Sequence, residues 1–285
     1  MMTLHNTRLR IEVVEPGTAY IRTRFDWTGT CRQIALDGRV TYCSQEAIGE
    51  KKGTEGLGLC NEFGLHTPIG YDDANVGDYF PKIGVGFLEK INNASYDFFR
   101  DYPFEPAVTE HEQMSDDTVT FTQIANRDDW GWKLQKTLRV TGNRLTIAYD
   151  LSNTGKRPLK TEEYCHNFFA INSQAVGPDY QVQLPFQPKL DPVKGPIAVH
   201  GNTIMLARIP ETFFWAAQTD CSTLPDVVWK LVHAPSGHGM EVIEHFPLHA
   251  FQIWGMSHVI SPELFIEIAV QPGGTQTWKR TYTFF

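Results

Sequence analysis

Apolar and polar residues alternate along most of this chain with a period of two. Trp132, Leu134, Lys136, Leu138 and Val140 form one row, and Leu145, Ile147, Tyr149 and Leu151 form the next. Gly142-Asn143 lies between the rows. Successive strand side chains point to opposite faces, and a Gly/Asn step allows a tight turn, so the two rows are expected to form a hairpin. The same alternation predicts strands at residues 8–14, 20–27, 32–36, 40–44, 118–124, 180–184, 212–217, 227–233, 240–246, 250–254, 264–270 and 275–284. Many are rich in β-branched and aromatic residues, which suit a pleated surface. No long segment repeats apolar residues at i, i+3, i+4 and i+7 between capping residues, so no substantial helix is expected.

Residues 46–100 break the pattern. They are rich in Gly, Asn and Asp and are expected to form ordered loops, since long irregular segments in compact domains are usually functional or disordered. The Pro-rich patch at 178–196 contains an alternating row and reads as loop and edge strand. No repeat, low-complexity tract or linker divides the chain. The fold class is therefore all-β: one domain, residues 1–285, built from two large packed antiparallel sheets.

Composition narrows the function classes. The chain has 285 residues, 41% of them hydrophobic, enough for a large core. Its formal net charge is −8, with no basic cluster, which argues against nucleic acid and anionic membranes as partners. The five cysteines are dispersed and form no C-x-x-C pair, so neither a disulfide framework nor a zinc knuckle is expected. A reducing, cytoplasmic setting fits. The first ten residues have no apolar h-region, and no apolar run is long enough to cross a bilayer.

The segment Glu162-Glu163-Tyr164-Cys165-His166-Asn167-Phe168-Phe169 holds the leading chemical candidate. It reads as a strand that sets an imidazole among acids and aromatics. Imidazole exchanges protons near neutral pH, and aromatic rings can stack on a sugar and exclude water. By strand alternation His166 shares a face with Glu162, Tyr164 and Phe168, and Glu162 is expected to tune its proton affinity. Trp130 and Trp132 flank Gly131. Trp132 is a candidate sugar contact, with core packing as its ordinary alternative. His245 and His249 are separated by Pro247 and cannot share a helix face as a zinc pair would, so no metal is expected. No nucleophile-elbow or phosphate-loop pattern occurs.

Four motifs, in order, resemble those of the aldose 1-epimerase, or galactose mutarotase-like, family. They are Gly77-Asp78-Tyr79-Phe80-Pro81-Lys82-Ile83-Gly84-Val85-Gly86, His166-Asn167-Phe168-Phe169, Phe251-Gln252-Ile253-Trp254, and the stretch from Ser261-Pro262-Glu263 through Gln271-Pro272-Gly273-Gly274 to Tyr282-Thr283-Phe284. The resemblance implies a β-supersandwich fold, a small-molecule sugar as partner and no cofactor. It implies that His166 is a general acid, Glu263 a general base and Gln252 a sugar contact. Lys82 stands where the family keeps a substrate-binding arginine. The family's second histidine has no His-Gly-Gly counterpart after Gly86; Tyr96 lies in roughly that region and His66 upstream of it. Glu267 is a rival for the base.

The implied reaction opens a cyclic hemiacetal. A base takes the C1 hydroxyl proton, an acid protonates the ring oxygen, and the ring recloses on the other face. Two other readings stay open: a non-catalytic carbohydrate-binding protein on the same fold, and another sugar-active enzyme such as a lyase. The identity of the sugar and the oligomeric state are not written in these motifs.

Overall fold

The computed structural model describes residues 1–49, 53–219, 221 and 225–285. Positions 50–52 of the irregular 46–100 segment lie outside the described residues. Two ten-stranded antiparallel sheets pack face to face, with a small three-stranded sheet beside them. One large apolar cluster fills the space between the large sheets, with contributors from Leu4 near one end of the chain to Phe284 near the other. Among the described residues no helix is long and apolar enough to cross a membrane.

The strongest alternation gave the clearest strands. Trp130–Thr141 and Arg144–Asn153 pair through ten successive positions. Gly142 turns between them at φ +58°, a conformation open to glycine at little cost. Thr275–Phe284 then pairs with Arg144–Asn153 on one side and His238–His245 on the other. Its inward residues, Trp278, Arg280 and Tyr282, reach the opposite sheet.

Two expectations need correction. Residues 20–27 form no strand. Thr23, Arg24, Phe25 and Asp26 are all buried in succession, and the backbone N–H groups of Arg24 and Phe25 donate to the Tyr20 hydroxyl rather than to a neighbouring strand. The 46–100 segment, expected to be loops, contains Leu59–Phe63, Tyr79–Lys82 and Gly86–Glu89. Leu59–Phe63 is buried at every position, which erases the alternation that marks a half-exposed strand.

Leu159–Asn167 is an interior strand of the first sheet. It pairs with Leu59–Phe63 on one side and Val259–Val270 on the other. Beyond Val259–Val270 lie Ala250–Met256 and then Phe214–Gln218. These five strands carry the candidate site on the face turned away from the second sheet.

Candidate functional site

Leu159–Asn167 divides its side chains between two environments. Glu163 points between the sheets, where Arg280 grips it through two hydrogen bonds of 3.0 and 2.9 Å. Tyr164, His166 and Phe168 take the other face: His166 lies 5.8 Å from the Tyr164 ring and stacks on Phe168 at 3.8 Å. Register supplies their neighbours. Tyr164 faces Glu62 on one side and Phe265 on the other, Gln252 faces Glu263, and Trp254 faces Ser261.

His166 and Glu263 meet across this face, with Nε2 and Oε1 3.2 Å apart. The Ser261 hydroxyl touches both, at 2.8 Å from His166 Nδ1 and 3.1 Å from Glu263 Oε1. His166 and Glu263 are each only 3% exposed. Phe25 and Trp254 stand edge-on to the imidazole at 5.8 and 5.5 Å.

Burial governs the charge state of the pair. Removal from water disfavours ions, and it lifts the Glu263 carboxyl from its ordinary 4.5 to about 8, against opposing pulls from Arg24 and Ser261. Burial, followed by the nearby Arg24 cation, holds His166 well below its usual range. At neutral pH the pair is a carboxylic acid beside a neutral imidazole. Transfer of a proton from Oε1 to Nε2 would give imidazolium and carboxylate with no change in total charge.

A charged network borders the pair. Arg24, carried by the 20–27 loop, donates to Glu62 Oε2 at 2.9 Å, Thr54 Oγ1 at 2.9 Å and the Tyr164 hydroxyl at 3.2 Å. Its guanidinium is sandwiched between Phe25 and Phe98, 4.5 and 4.4 Å from their ring centres. Lys82 donates to Glu62 Oε1 at 3.2 Å. Burial works against the Glu62 charge, but Arg24 and Lys82 outweigh it and keep the carboxyl below its usual range.

On the other side of the pair, Gln252 links three elements. The Trp215 indole, which can only donate, gives its N–H to Gln252 Oε1 at 3.1 Å. That turns the Gln252 amide toward His66 Nε2, 2.7 Å away. His66 stacks on Phe265 and is exposed, while Trp215 and Trp254 are partly exposed. The rim of the face is therefore aromatic and polar, and its floor is the buried acid–base pair. Among the described residues no group of three or more His, Cys, Asp or Glu side chains is placed to hold a metal.

Solved structures with this arrangement of strands carry related descriptions. A galactose mutarotase-like protein from Lactobacillus casei superposes with a TM-score of 0.59 at 16% identity, covering 100% of both chains. The fold is galactose mutarotase-like. A galactose mutarotase related enzyme from Lactobacillus acidophilus gives a TM-score of 0.59 at 11% identity, covering 99% of this chain and 96% of that one. An aldose epimerase homologue from C. elegans gives 0.55 at 10% identity, covering 100% and 98%. No family sequence model and no curated protein matches the chain.

The mutarotase-like fold brings His166, Glu263 and Gln252 onto one face. Lys82 and Tyr96 lie beside it: Lys82 is buried against Glu62, with its Nζ 5.3 Å from the Tyr96 ring centre, and Tyr96 stacks on Tyr102. Glu267 sits four residues beyond Glu263 and is exposed. Trp132 is a correction. It is fully buried between the sheets, packs on Phe87 at 5.1 Å and donates to Gln123, so no sugar reaches it. Its neighbour Trp130 instead lines a surface cleft of about 340 Å³, with Arg157 over its ring at 4.3 Å.

Glu162 is a second correction. Its carboxylate accepts backbone N–H groups of His66 and Thr67 at 2.6 and 3.2 Å, and the charge that bears on His166 is Arg24. Arg24, Glu62, Trp215 and the bridging role of Ser261 escaped the sequence reading. Arg24 left no local signal: Arg24 and Asp26 share one face of the 20–27 row, as on the polar face of an ordinary half-exposed strand.

Proposed function

We propose that this protein is an aldose 1-epimerase acting on a neutral aldose, with Glu263 and His166 as its acid–base pair. The contact of 3.2 Å between Nε2 and Oε1 carries the reading. The C1 hydroxyl and the ring oxygen are bonded to the same carbon, so two groups in contact can serve both, in place of the expected acid and base on opposite sides of that carbon. Transfer of the Glu263 proton to His166 Nε2 first gives carboxylate and imidazolium; on opening, Glu263 then takes the O1 proton while His166 protonates the ring oxygen. The C1–O bond to the ring breaks as C1=O1 forms. That leaves a carboxylic acid and a neutral imidazole, the form favoured by burial. After rotation about C1–C2, Glu263 returns its proton to O1 and His166 takes back the other as the ring closes.

A neutral substrate is supported by the charge pairing: Arg24 and Lys82 are both held by Glu62. The same pairing disfavours a lyase, which needs a cation for a uronate carboxylate. The buried thiols Cys31, Cys43, Cys60 and Cys165 fit a reducing compartment such as the cytoplasm.

One observation favours a second reading, a carbohydrate-binding protein without catalysis: the pair is 3% exposed, while Trp215, Trp254 and His66 at the rim are open. Anomeric exchange followed by NMR over a panel of aldoses separates the two. The expected result is exchange above background in wild type, reduced at least about tenfold in both His166→Ala and Glu263→Gln. Sugar binding seen by tryptophan fluorescence, with no exchange of any aldose, would replace catalysis by binding.

A further inference from the structure

We infer that Ser261 is a positioning residue that holds the His166 imidazole in its Nδ1–H form, and that Pro262 enables this by freeing the backbone N–H of Asn167. The inference builds on the acid–base reading of the pair, and it makes a claim that stands apart from turnover.

Proline cannot donate to a sheet ladder and is usually confined to edges or bulges. Pro262 lies in an interior strand, paired with Ile253 on one side. On the other side Tyr164 pairs with Phe265, and Phe169 bridges to Ile260. The register is the same before and after the proline and puts Asn167 opposite it. No N–H comes from position 262 to meet the Asn167 carbonyl, so this pair does not close and the ladder opens there, leaving the Asn167 N–H to another acceptor. The Asn167 N–H turns to Ser261 Oγ at 3.0 Å, and the Asn167 side-chain amide donates to the Pro262 carbonyl at 2.6 Å. The Tyr282 hydroxyl, from the opposite sheet, donates to Asn167 Oδ1 at 2.9 Å.

The consequence follows from counting protons. A serine hydroxyl has one proton to give and two lone pairs. One lone pair accepts from Asn167. The remaining neighbours are Glu263 Oε1 and His166 Nδ1. The carboxyl oxygen accepts the serine proton, so Nδ1 must donate to the second lone pair. Nε2 then presents its own lone pair to Glu263, and a single transferable proton lies between them. The opposite tautomer would set Nε2–H and the serine lone pair on the same oxygen and leave the serine proton for Nδ1. In that form the Glu263 proton must turn from the imidazole nitrogen to the serine oxygen, a weaker acceptor.

The charged and titratable groups around the pair are Arg24 from the 20–27 loop, Glu62 and Cys60 from Leu59–Phe63, and Tyr164 from the strand of His166 itself. Asn167 and Ser261 therefore fix the imidazole from behind while the substrate side stays free for proton transfer.

The test is long-range ¹⁵N–¹H NMR of histidine-labelled protein at neutral pH. Wild type is expected to show a protonated-type Nδ1 and a pyridine-type Nε2 for His166, assigned by loss of the signals in His166→Ala. Ser261→Ala should shift the tautomer toward Nε2–H. In an exchanging enzyme it should also lower kcat about tenfold with KM changed less than about twofold, and move the pH of half-maximal rate. Ser261→Thr, which keeps the hydroxyl, should retain the wild-type spectrum. Pro262→Ala should weaken the Nδ1–H form by restoring an N–H at position 262. A wild-type Nε2–H tautomer, or a Ser261→Ala spectrum identical to wild type, overturns the inference. The wild-type spectrum decides the question even if a variant fails to fold. Absence of exchange in wild type with the expected tautomer would end the epimerase reading and leave this one standing.

Discussion

Replacing Glu263 by glutamine should stabilise the protein relative to wild type, increasingly as pH rises. The side chain is buried beside a neutral imidazole, and its carboxyl is lifted from 4.5 to about 8. Between those values the unfolded chain has lost the Glu263 proton while the folded chain keeps it. The native state then binds more protons than the unfolded state, so wild-type stability falls with rising pH across this window and levels off above it. Each pH unit of separation is worth about 1.4 kcal/mol, which puts the full effect at about 5 kcal/mol, of which about 4 falls between pH 5 and pH 9. Glutamine has nothing to ionise. Its amide nitrogen, placed where Oε1 lies, can donate to His166 Nε2 as the neutral acid does. Other titrating groups, such as Glu244 at about 7, are common to both proteins and cancel in the difference. Urea unfolding of wild type and Glu263→Gln at pH 5, 7 and 9 measures this, with equal m-values as the check on comparability. The stability gap should widen by about 4 kcal/mol from pH 5 to pH 9 in favour of the variant. A gap that stays constant, or closes with rising pH, would mean that Glu263 is ionised in the folded protein and that burial does not control the pair.

Further outcomes follow from particular contacts. Arg280→Met removes the cation between Glu163 and Glu244, which it contacts at 2.9 Å each, and should cost about 3–5 kcal/mol in urea unfolding at neutral pH. Gln252→Ala frees His66 and Trp215 and should raise KM for the best aldose about tenfold with little change in kcat, in steady-state kinetics. Trp132→Phe should lower the melting temperature while leaving KM within about twofold, since Trp132 is a core residue. Gly58→Ala places a Cβ 1.9 Å from the Cys31 carbonyl oxygen at φ +56° and should prevent accumulation of folded protein, read by circular dichroism.

The parts of the fold that were legible in the sequence are those in which one strand face meets solvent. Trp130–Thr141 and Arg144–Asn153 alternate because their outer residues are wet. Leu59–Phe63 was invisible because both its faces are covered. At the site, His166 and Glu263 were found through short motifs whose chemistry is intrinsic to the residue. Arg24 was missed because its role depends on Glu62, 38 residues away, and on a loop whose alternation mimics a strand. Lys82 was read as standing in for the family's substrate-binding arginine. Nothing local in its sequence shows that Glu62 neutralises it.

The last strand, Thr275–Phe284, supplies both Arg280, which grips Glu163, and Tyr282, which holds Asn167. A polypeptide lacking this strand still contains His166 and Glu263 but not the wedge that seats them. Maturation of the site is thereby tied to docking of this one strand, and chains cut back to before Thr275 should resist neither protease nor urea at the Leu159–Asn167 strand, a behaviour that limited proteolysis would reveal.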